Sequence, residues 1–193
     1  MKTTETVLNP THSDIQFKEA KTTKWVLEPT HSEVQFKAKH LMITNVTGSF
    51  KTISASVEAE NADFSNAKIS FSAETASVST NNEPRDGHLK SPDFFDAAKF
   101  PAIKFEAAAY NASEGKVTGE LTIKDVTKPV TLAVEFTGTQ KDPWGNERAG
   151  FSLSGKINRK DWGLNWNAAL ETGGVLVSEE IKINAEVQFV KQA

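Results

Sequence analysis

The stretch Arg85–Asp96 reads RDGHLKSPDFFD, and it interrupts an alternation of apolar and polar residues that runs through most of the chain. Ser91, Pro92 and Asp93 have the pattern of a helix start: a hydroxyl that caps free N–H groups, a proline that lacks one, and an acid at the positive end of the dipole. Leu89, Phe94 and Phe95 are too apolar to lie in water. We expect a short helical segment around residues 84–98 that packs on the body of the protein and closes or lines a cavity. A connection that only packs is the plain alternative.

Outside this stretch the apolar residues recur with period two, which indicates β-strands with one buried face. Ile103, Phe105 and Ala107, for example, alternate with Lys104 and Glu106. About eight such segments occur, many of them longer than the usual five or six residues. Long antiparallel strands with one apolar face favour an all-β, eight-stranded up-and-down barrel over a sandwich of short strands.

Two turns and a set of small residues refine this prediction. The composition of 125–129 and of 142–146 predicts connections between strands. Eight strands leave an interior that side chains just fill or that holds one small ligand. Small residues at inward positions indicate a cavity, whereas interleaved phenylalanines would fill it. The small inward residues are Ala38, Ala55, Ala59, Ala73, Ala107, Ala109, Gly119, Gly155 and Ala185.

The N-terminal region contains a duplication. Lys2–Ala20 matches Lys21–Lys39 at an offset of 19 residues, with 12 of 19 positions identical. The second copy has Trp25 where the first has Thr6, and it continues directly into His40. We therefore expect residues 1–20 to be an appendage and residues 21–193 to form the barrel, with the second copy as its first strand.

Composition limits the classes of function. A formal charge of −3 and a pI near 5.9 argue against a nucleic-acid partner. The chain has no cysteine, which excludes disulfides and cysteine-based metal sites. Its N-terminus lacks the apolar segment of a signal peptide, and no apolar run approaches the roughly 18 residues of a membrane span. We expect a cytoplasmic protein without stable membrane insertion.

The sequence offers no set of residues that would make an active site. The histidines, at positions 12, 31, 40 and 88, do not show zinc-ligand spacing, and we expect no metal. Motifs of nucleophilic or phosphate-binding sites are missing as well. We therefore expect a protein that is not an enzyme and needs no cofactor.

Three cations near the helical segment are candidates for contact with an anionic headgroup. Arg85, His88 and Lys90 lie beside the predicted cavity, and a phosphate or carboxylate suits such side chains. In the alternative, Arg85 and His88 cap backbone carbonyls or pair with the aspartates at 86, 93 and 96. The irregular run between Ile157 and Ile181 contains Trp162 and Trp166, and we expect it to form a rim or lid over one barrel end.

Five blocks of sequence resemble the YceI-like family of lipocalin-like, polyisoprenoid-binding proteins. They are Pro29-Thr30-His31-Ser32 with Phe36 and His40; Arg85–Asp96 with Phe100-Pro101; Gly119–Lys124 with Thr127–Val130; Arg148–Phe151; and Arg159–Gly163. The resemblance covers residues from about 25 to 190. It implies an extended lipocalin-like barrel, often dimeric, whose pore takes an isoprenoid or fatty-acid-like amphiphile, and no established catalysis. Many members are periplasmic, which this N-terminus does not match.

We therefore expect a carrier or sequestering protein for a long apolar or amphiphilic ligand, with a homodimer possible. The alternative is a non-enzymatic scaffold or interaction module whose barrel is filled by its own side chains. The candidate ligand-binding residues are Phe36, His40, Phe71, Arg85, His88, Leu89, Phe94, Phe95, Phe105, Leu121, Phe136, Phe151, Trp162 and Trp166.

Overall fold

A computed structural model describes residues 22–171 and 173–193, and antiparallel strands make up most of this part of the chain. The strands are β1 (Thr23–Leu27), β2 (Glu33–His40), β3 (Thr44–Phe50), β4 (Ile53–Ala59), β5 (Lys68–Glu74), β6 (Val78–Ser79), β7 (Ala102–Ala107), β8 (Tyr110–Asn111), β9 (Lys116–Ile123), β10 (Val126–Lys141), β11 (Glu147–Asn158) and β12 (Val177–Lys191). One α-helix, α1 (Glu83–Lys90), and short 3-10 turns at Pro29–His31, Thr75–Ser77 and Arg159–Trp162 complete the described elements.

Eight of these strands close into a barrel. In the order β1, β4, β5, β7, β9, β10, β11 and β12, each strand pairs antiparallel with the next, and β12 pairs back onto β1. The sheet continues from β12 into β2, β3 and β6, and β8 pairs with β9. The eight-stranded antiparallel barrel predicted from the alternation is confirmed.

One edge of β12 is divided between two partners. Toward its C-terminal end Phe189 pairs with Leu27 of β1, and toward its N-terminal end Ile183 pairs with Phe36 of β2. The turn Pro29–His31 lies between the two. The predicted uninterrupted first strand is therefore wrong. Its interruption comes from local hydrogen bonds that compete with the sheet.

The carboxylate of Glu28 makes that turn. It accepts hydrogen bonds from the backbone N–H groups of Thr30 and His31, both at 3.0 Å. The His31 ring adds a contact at 2.5 Å. Hydrogen bonds from Thr30 and His31 lower the pKa of Glu28 to about 2. Ser32 then links the turn to β12, since its Oγ accepts from the N–H of Gln188 at 2.9 Å.

Two predicted strand boundaries need correction. The β9–β10 turn lies at Lys124-Asp125 and not at 125–129, because Val126 already pairs with Ile123 in the ladder. Ala109 was expected to point inward, but it lies beyond the end of β7 and is exposed, and Tyr110 is buried in its place. The predicted turn at 142–146 is confirmed. There Asp142 accepts from the N–H of Asn146 at 2.8 Å.

The helix lies N-terminal to its predicted start. Asn82 is the N-cap of α1, and its side chain accepts from the N–H of Arg85 at 3.0 Å, with Pro84 in the first turn. Ser91, expected to begin the helix, is its C-cap. The reason is steric, because a proline disfavours the helical conformation of the residue before it. Ser91 precedes Pro92 and is extended, with φ −73° and ψ 169°.

The two ends of the barrel differ. At the end that carries the 142–146 turn, here the hairpin end, Phe64 fills the interior against the rings of Trp25, Phe136 and Phe151, at centroid distances of 5.1, 5.4 and 5.0 Å. At the opposite end, here the helix end, lie α1, the segment that follows it, and residues 159–171 after β11.

Removing residues 1–20 is expected to change the free energy of unfolding by no more than about 0.5 kcal/mol. The reason is that residues 23–40 supply both strands that pair with β12. How the first copy of the duplication is placed lies outside the described residues. Urea unfolding followed by far-UV circular dichroism measures the change. Trp25→Ala in the shortened chain is the positive control and should cost about 3–5 kcal/mol. A loss of several kcal/mol on truncation alone would contradict the assignment.

Gly119→Ala is expected to destabilise the barrel by about 1–3 kcal/mol through overpacking. A Cβ at this position would lie 2.5 Å from the carbonyl oxygen of Glu106 and 2.6 Å from Cζ of Phe105. The matched control is Gly87→Ala in α1, where a Cβ meets no atom within 4 Å. Because alanine is the better helix former, the control should gain up to about 1 kcal/mol. Equal effects at both positions in thermal melts would contradict the packing argument.

Candidate functional site

An apolar cavity of about 260 Å³ occupies the barrel interior. Inward side chains of the strands line it, as the period-two pattern requires. The aromatic residues in its wall are Phe36, Phe50, Phe64, Phe71, Phe94, Phe95, Phe105, Tyr110, Phe151 and Phe189. Aliphatic residues such as Ile69, Leu121, Leu132, Ile183 and Val187 fill the spaces between them. The predicted cavity is therefore present.

Part of the space that small inward residues leave is taken up by neighbouring rings. The ring of Phe36 lies over Gly48, and the ring of Phe105 lies over Gly119. The side chain of Leu132 covers Gly155 in the same way. By contrast, Ala55, Ala73 and Ala185 border the cavity itself. Both sequence interpretations thus hold in part: phenylalanines fill some of the interior, and alanines leave the rest open.

The helix α1 and the residues that follow it, here together called the α1 segment (residues 83–96), form the wall of the cavity at the helix end. Phe94 and Phe95 are each 8 % exposed, and Leu89 is half-buried against the core. The ring of Phe95 meets Phe50 edge-on at 5.8 Å. All three lining residues predicted from Arg85–Asp96 therefore reach the cavity.

The polar residues of α1 make hydrogen bonds within their own segment. Nε of Arg85 donates to Oγ1 of Thr80 at 2.7 Å, and Nη2 donates to the carbonyl of Thr80 at 3.1 Å. Asp86 accepts from the N–H and the hydroxyl of Thr80 at 2.7 and 2.6 Å. Partial burial opposes the charged form of Asp86, but the Thr80 hydrogen bonds outweigh it and lower the pKa. His88 contacts Asp93 at 2.9 Å. Arg85 thus contacts a backbone carbonyl and His88 contacts an aspartate, as in the alternative to headgroup contact.

The two tryptophans after β11 cover the helix end at different depths. Trp162 is 3 % exposed, and its Nε1 donates to the carbonyl of Leu121 at 3.0 Å, which ties the chain to the barrel wall. Trp166 is half-buried and packs on His88 and Phe94 at centroid distances of 4.6 and 5.4 Å. Residues 159–171 and the α1 segment thus close the same end of the barrel.

Arg159 is a buried cation in the cavity wall and was not among the predicted ligand-binding residues. The residue is 3 % exposed. Its Nε donates to the carbonyl of Ser178 at 3.0 Å, and its Nη1 donates to the carbonyls of Leu164 and Trp166. Burial lowers the pKa of the guanidinium, and the charge of Glu179 acts in the opposite direction. The sequence does indicate an inward position, because Arg159 continues the alternation of the inward-facing residues Leu153, Gly155 and Ile157.

One nitrogen of this guanidinium is unsatisfied. Among residues 22–171 and 173–193, Nη2 of Arg159 is the single buried side-chain nitrogen or oxygen without a hydrogen-bond partner. Leaving a buried donor unpaired costs about 1–3 kcal/mol, and more for a charged group. Arg159 is also the one charged residue among the described residues that line the cavity. Among the described lining residues, the wall therefore carries charge at this one point, near the helix end.

The candidate residues divide by position. The cavity wall includes Phe36, Phe71, Leu89, Phe94, Phe95, Phe105, Leu121 and Phe151. His40, Arg85, His88, Phe136, Trp162 and Trp166, all within the described chain, lie outside the lining. Phe136 packs in the hairpin-end cluster, whereas the others sit at or beyond the helix end. Besides Arg159, Phe50 and Phe64 line the cavity without being among the predicted binding residues; Phe64 lies in a loop, where alternation gives no signal.

The described residues offer no group of three histidines, cysteines or acids that could hold a metal ion. Within the same residues no helix has the length and apolar character to cross a membrane.

Residues 25–189 match the family described as the YceI-like domain. The chain belongs to the YceI-like family. The UPF0312 protein SA2479 of Staphylococcus aureus is 43 % identical over 152 residues, which cover 78 % of this chain and 88 % of that protein. The crystal structure of the Campylobacter jejuni YceI protein matches with a TM-score of 0.68 and 33 % identity, over 99 % of this chain and 100 % of that one.

A third comparison concerns the fold alone. A polyisoprenoid-binding domain from Saccharophagus degradans, implicated in plant cell wall breakdown, matches this YceI-like chain with a TM-score of 0.62 at 16 % identity, over 87 % of this chain and 98 % of that one. The lipocalin-like barrel is thus shared at low sequence identity. The predicted family and fold class are both confirmed.

Phe95→Ala is expected to lower the free energy of unfolding of this YceI-like domain by about 3–5 kcal/mol, because its buried ring joins the α1 segment to the barrel core. Trp144→Ala is the control: that ring is 81 % exposed in the 142–146 turn, and its removal should change stability by no more than about 0.5 kcal/mol. Urea titrations followed by circular dichroism report both. A small effect for Phe95→Ala would show that the segment is not anchored through this ring.

Proposed function

We propose that this protein binds one long-chain apolar or amphiphilic molecule, of the polyisoprenoid or fatty-acid class, inside its barrel, and that it acts as a carrier or sequestering protein without catalysis. The observation that carries the proposal is the apolar cavity of about 260 Å³ along the barrel interior. Its volume is just below the range of about 300–1,000 Å³ that is common for small-molecule sites.

The energetics of such binding are favourable. Each methylene group moved from water into an apolar interior contributes about 0.8 kcal/mol before the costs of ordering the chain. The wall offers aliphatic and aromatic contacts on all sides, from Leu121 and Leu132 to Phe71 and Phe105. Affinity should therefore increase with the length of the apolar tail until the cavity is full. The polyisoprenoid-binding domain of the same fold supports an apolar chain as the occupant.

A scaffold without a ligand is the second candidate, and one observation favours it. The inward glycines at 48, 119 and 155 are already covered by side chains of the protein, which reduces the open volume. On this alternative the remaining cavity is a packing void. The two functions differ in a measurable way, because a scaffold shows no saturable uptake of an apolar chain.

The test is to extract the purified protein with organic solvent, to identify any bound molecule by mass spectrometry, and to titrate the emptied protein with isoprenoid alcohols and fatty acids of increasing length. We expect about one ligand per chain and affinity that rises with tail length. An empty extract together with no saturable uptake would favour the scaffold.

Ala185→Leu is expected to weaken uptake of an apolar chain by about tenfold or more. Ala185 lies on β12 and borders the cavity, so the larger side chain displaces about two methylene groups of ligand. The matched control is Ala133→Leu on β10, which adds the same atoms at an exposed position and should leave uptake unchanged. Native mass spectrometry and fluorescence titration measure both. Equal uptake by the two variants would place the ligand outside the cavity.

A further inference from the structure

We infer that Arg159 forms a polar subsite inside the barrel, which binds the oxyanion head of an amphiphile whose tail occupies the apolar cavity. The inference rests on the proposed function, because it assumes that the cavity takes an apolar chain. It adds the chemical class of the head, a carboxylate or a phosphate, and the direction in which the molecule lies.

The guanidinium is held rigidly by the surrounding backbone. Nε is bound to the carbonyl of Ser178 at the start of β12, and Nη1 is bound to the carbonyls of Leu164 and Trp166 after β11. Three carbonyls from two segments therefore fix the plane of the group. Such preorganisation favours binding, because little side-chain freedom remains to be lost.

Nη2 is the atom left for a ligand. It is buried, it has no hydrogen-bond partner among residues 22–171 and 173–193, and it belongs to a residue that lines the cavity. Backbone carbonyls carry only partial charge, so they do not neutralise a buried cation. The nearby carboxylate of Glu179 contacts the ammonium of Lys160 at 2.5 Å and is half-exposed. An oxyanion at Nη2 would supply both the missing acceptor and the missing charge.

The surroundings decide which part of the ligand lies there. The described residues that line the rest of the cavity carry no charge, so a charged head has one favourable position. Arg159 directly follows β11 at the helix end, whereas Phe64 fills the hairpin end. The head therefore lies at the helix end, and the tail runs toward the aromatic cluster around Phe64.

Arg85, the other arginine near this end, is placed differently. It is exposed, its Nε and Nη2 are bound to Thr80, and it does not line the cavity. Arg148 offers a further comparison within β11: it is partly buried at the hairpin end, and Asp142 at 2.9 Å supplies its counter-charge. Of these three, Arg159 combines a place in the cavity wall with an unused donor.

The test compares ligands that share one apolar tail and differ in the headgroup. Farnesol, farnesoic acid and farnesyl phosphate share a fifteen-carbon chain and differ in the head, and calorimetry or competition with a fluorescent probe gives each Kd with the emptied full-length protein. We expect at least one of the two anions to bind about tenfold or more tightly than farnesol, as a hydrogen bond between charged groups implies. A preference for the acid or for the phosphate identifies the kind of oxyanion that the subsite accepts.

Variants then assign the preference to a residue. Arg159→Gln should reduce the ratio of the farnesol Kd to the anion Kd to about one while farnesol still binds, and Arg159→Lys should restore part of it. Arg148→Gln is the matched control and should keep the wild-type ratio. A variant at Arg159 that only loosened the fold would weaken all three ligands together, and the ratio would not change.

The outcomes separate the two proposals. If farnesol binds and neither anion binds more tightly, the subsite inference fails while the carrier proposal stands. If the preference is lost in Arg85→Gln and kept in Arg159→Gln, the head lies at α1 and the inference is wrong. If none of the three ligands binds, the proposed function itself fails. Where a variant at Arg159 does not fold, the inference is still tested: equal binding of the three ligands by the wild-type protein, or loss of the anion preference in Arg85→Gln, overturns it.

Discussion

A closed sheet must pair every strand on both edges, and here closure depends on the way β12 divides one edge between two partners. Its C-terminal part pairs with β1 and completes the ring, while its N-terminal part pairs with β2 and extends the wall into β3 and β6. The Glu28 carboxylate, through its hydrogen bonds to Thr30 and His31, makes the turn that lets one chain segment serve both parts. Without that turn β1 and β2 would form one strand, and the sheet could not both close and branch. The Pro-Thr-His-Ser block of the family is thus a structural feature of the barrel wall.

Inside the wall, the size of the cavity results from a balance between rings and small residues. Phenylalanines lie over glycines on neighbouring strands, as Phe36 does over Gly48, and this packs the wall densely. Alanines such as Ala73 and Ala185 border the open space. Larger side chains at several of these positions would reduce the cavity toward a filled core.

The period of the sequence was sufficient to predict the barrel, its number of closing strands and part of the strand-borne lining, including Phe71, Phe105 and Leu121. The errors arise where local interactions override the sequence pattern. Ser91-Pro92 carried the residues of a helix start, but the same proline makes Ser91 extended, and Asn82 caps the helix instead. Phe64 reaches the interior from a loop, which alternation does not describe. Arg159 was missed because charge normally predicts exposure. Its burial depends on the carbonyls of Ser178, Leu164 and Trp166, which only the folded chain brings together.

The weak packing of the α1 helix affects the rate of local opening rather than the affinity for a ligand. None of its side chains is fully buried, and Leu89 is its main apolar contact with the core. Local opening costs only the contacts of the element that opens, so α1 can separate from the wall at a smaller free energy than any pair of barrel strands. Amide hydrogen exchange in α1 should accordingly be faster than in β9 or β11. If the protein binds an apolar chain as proposed, this arrangement would separate residence time from affinity: the barrel wall would determine how tightly a chain is held, and opening of the helix would affect how soon it leaves.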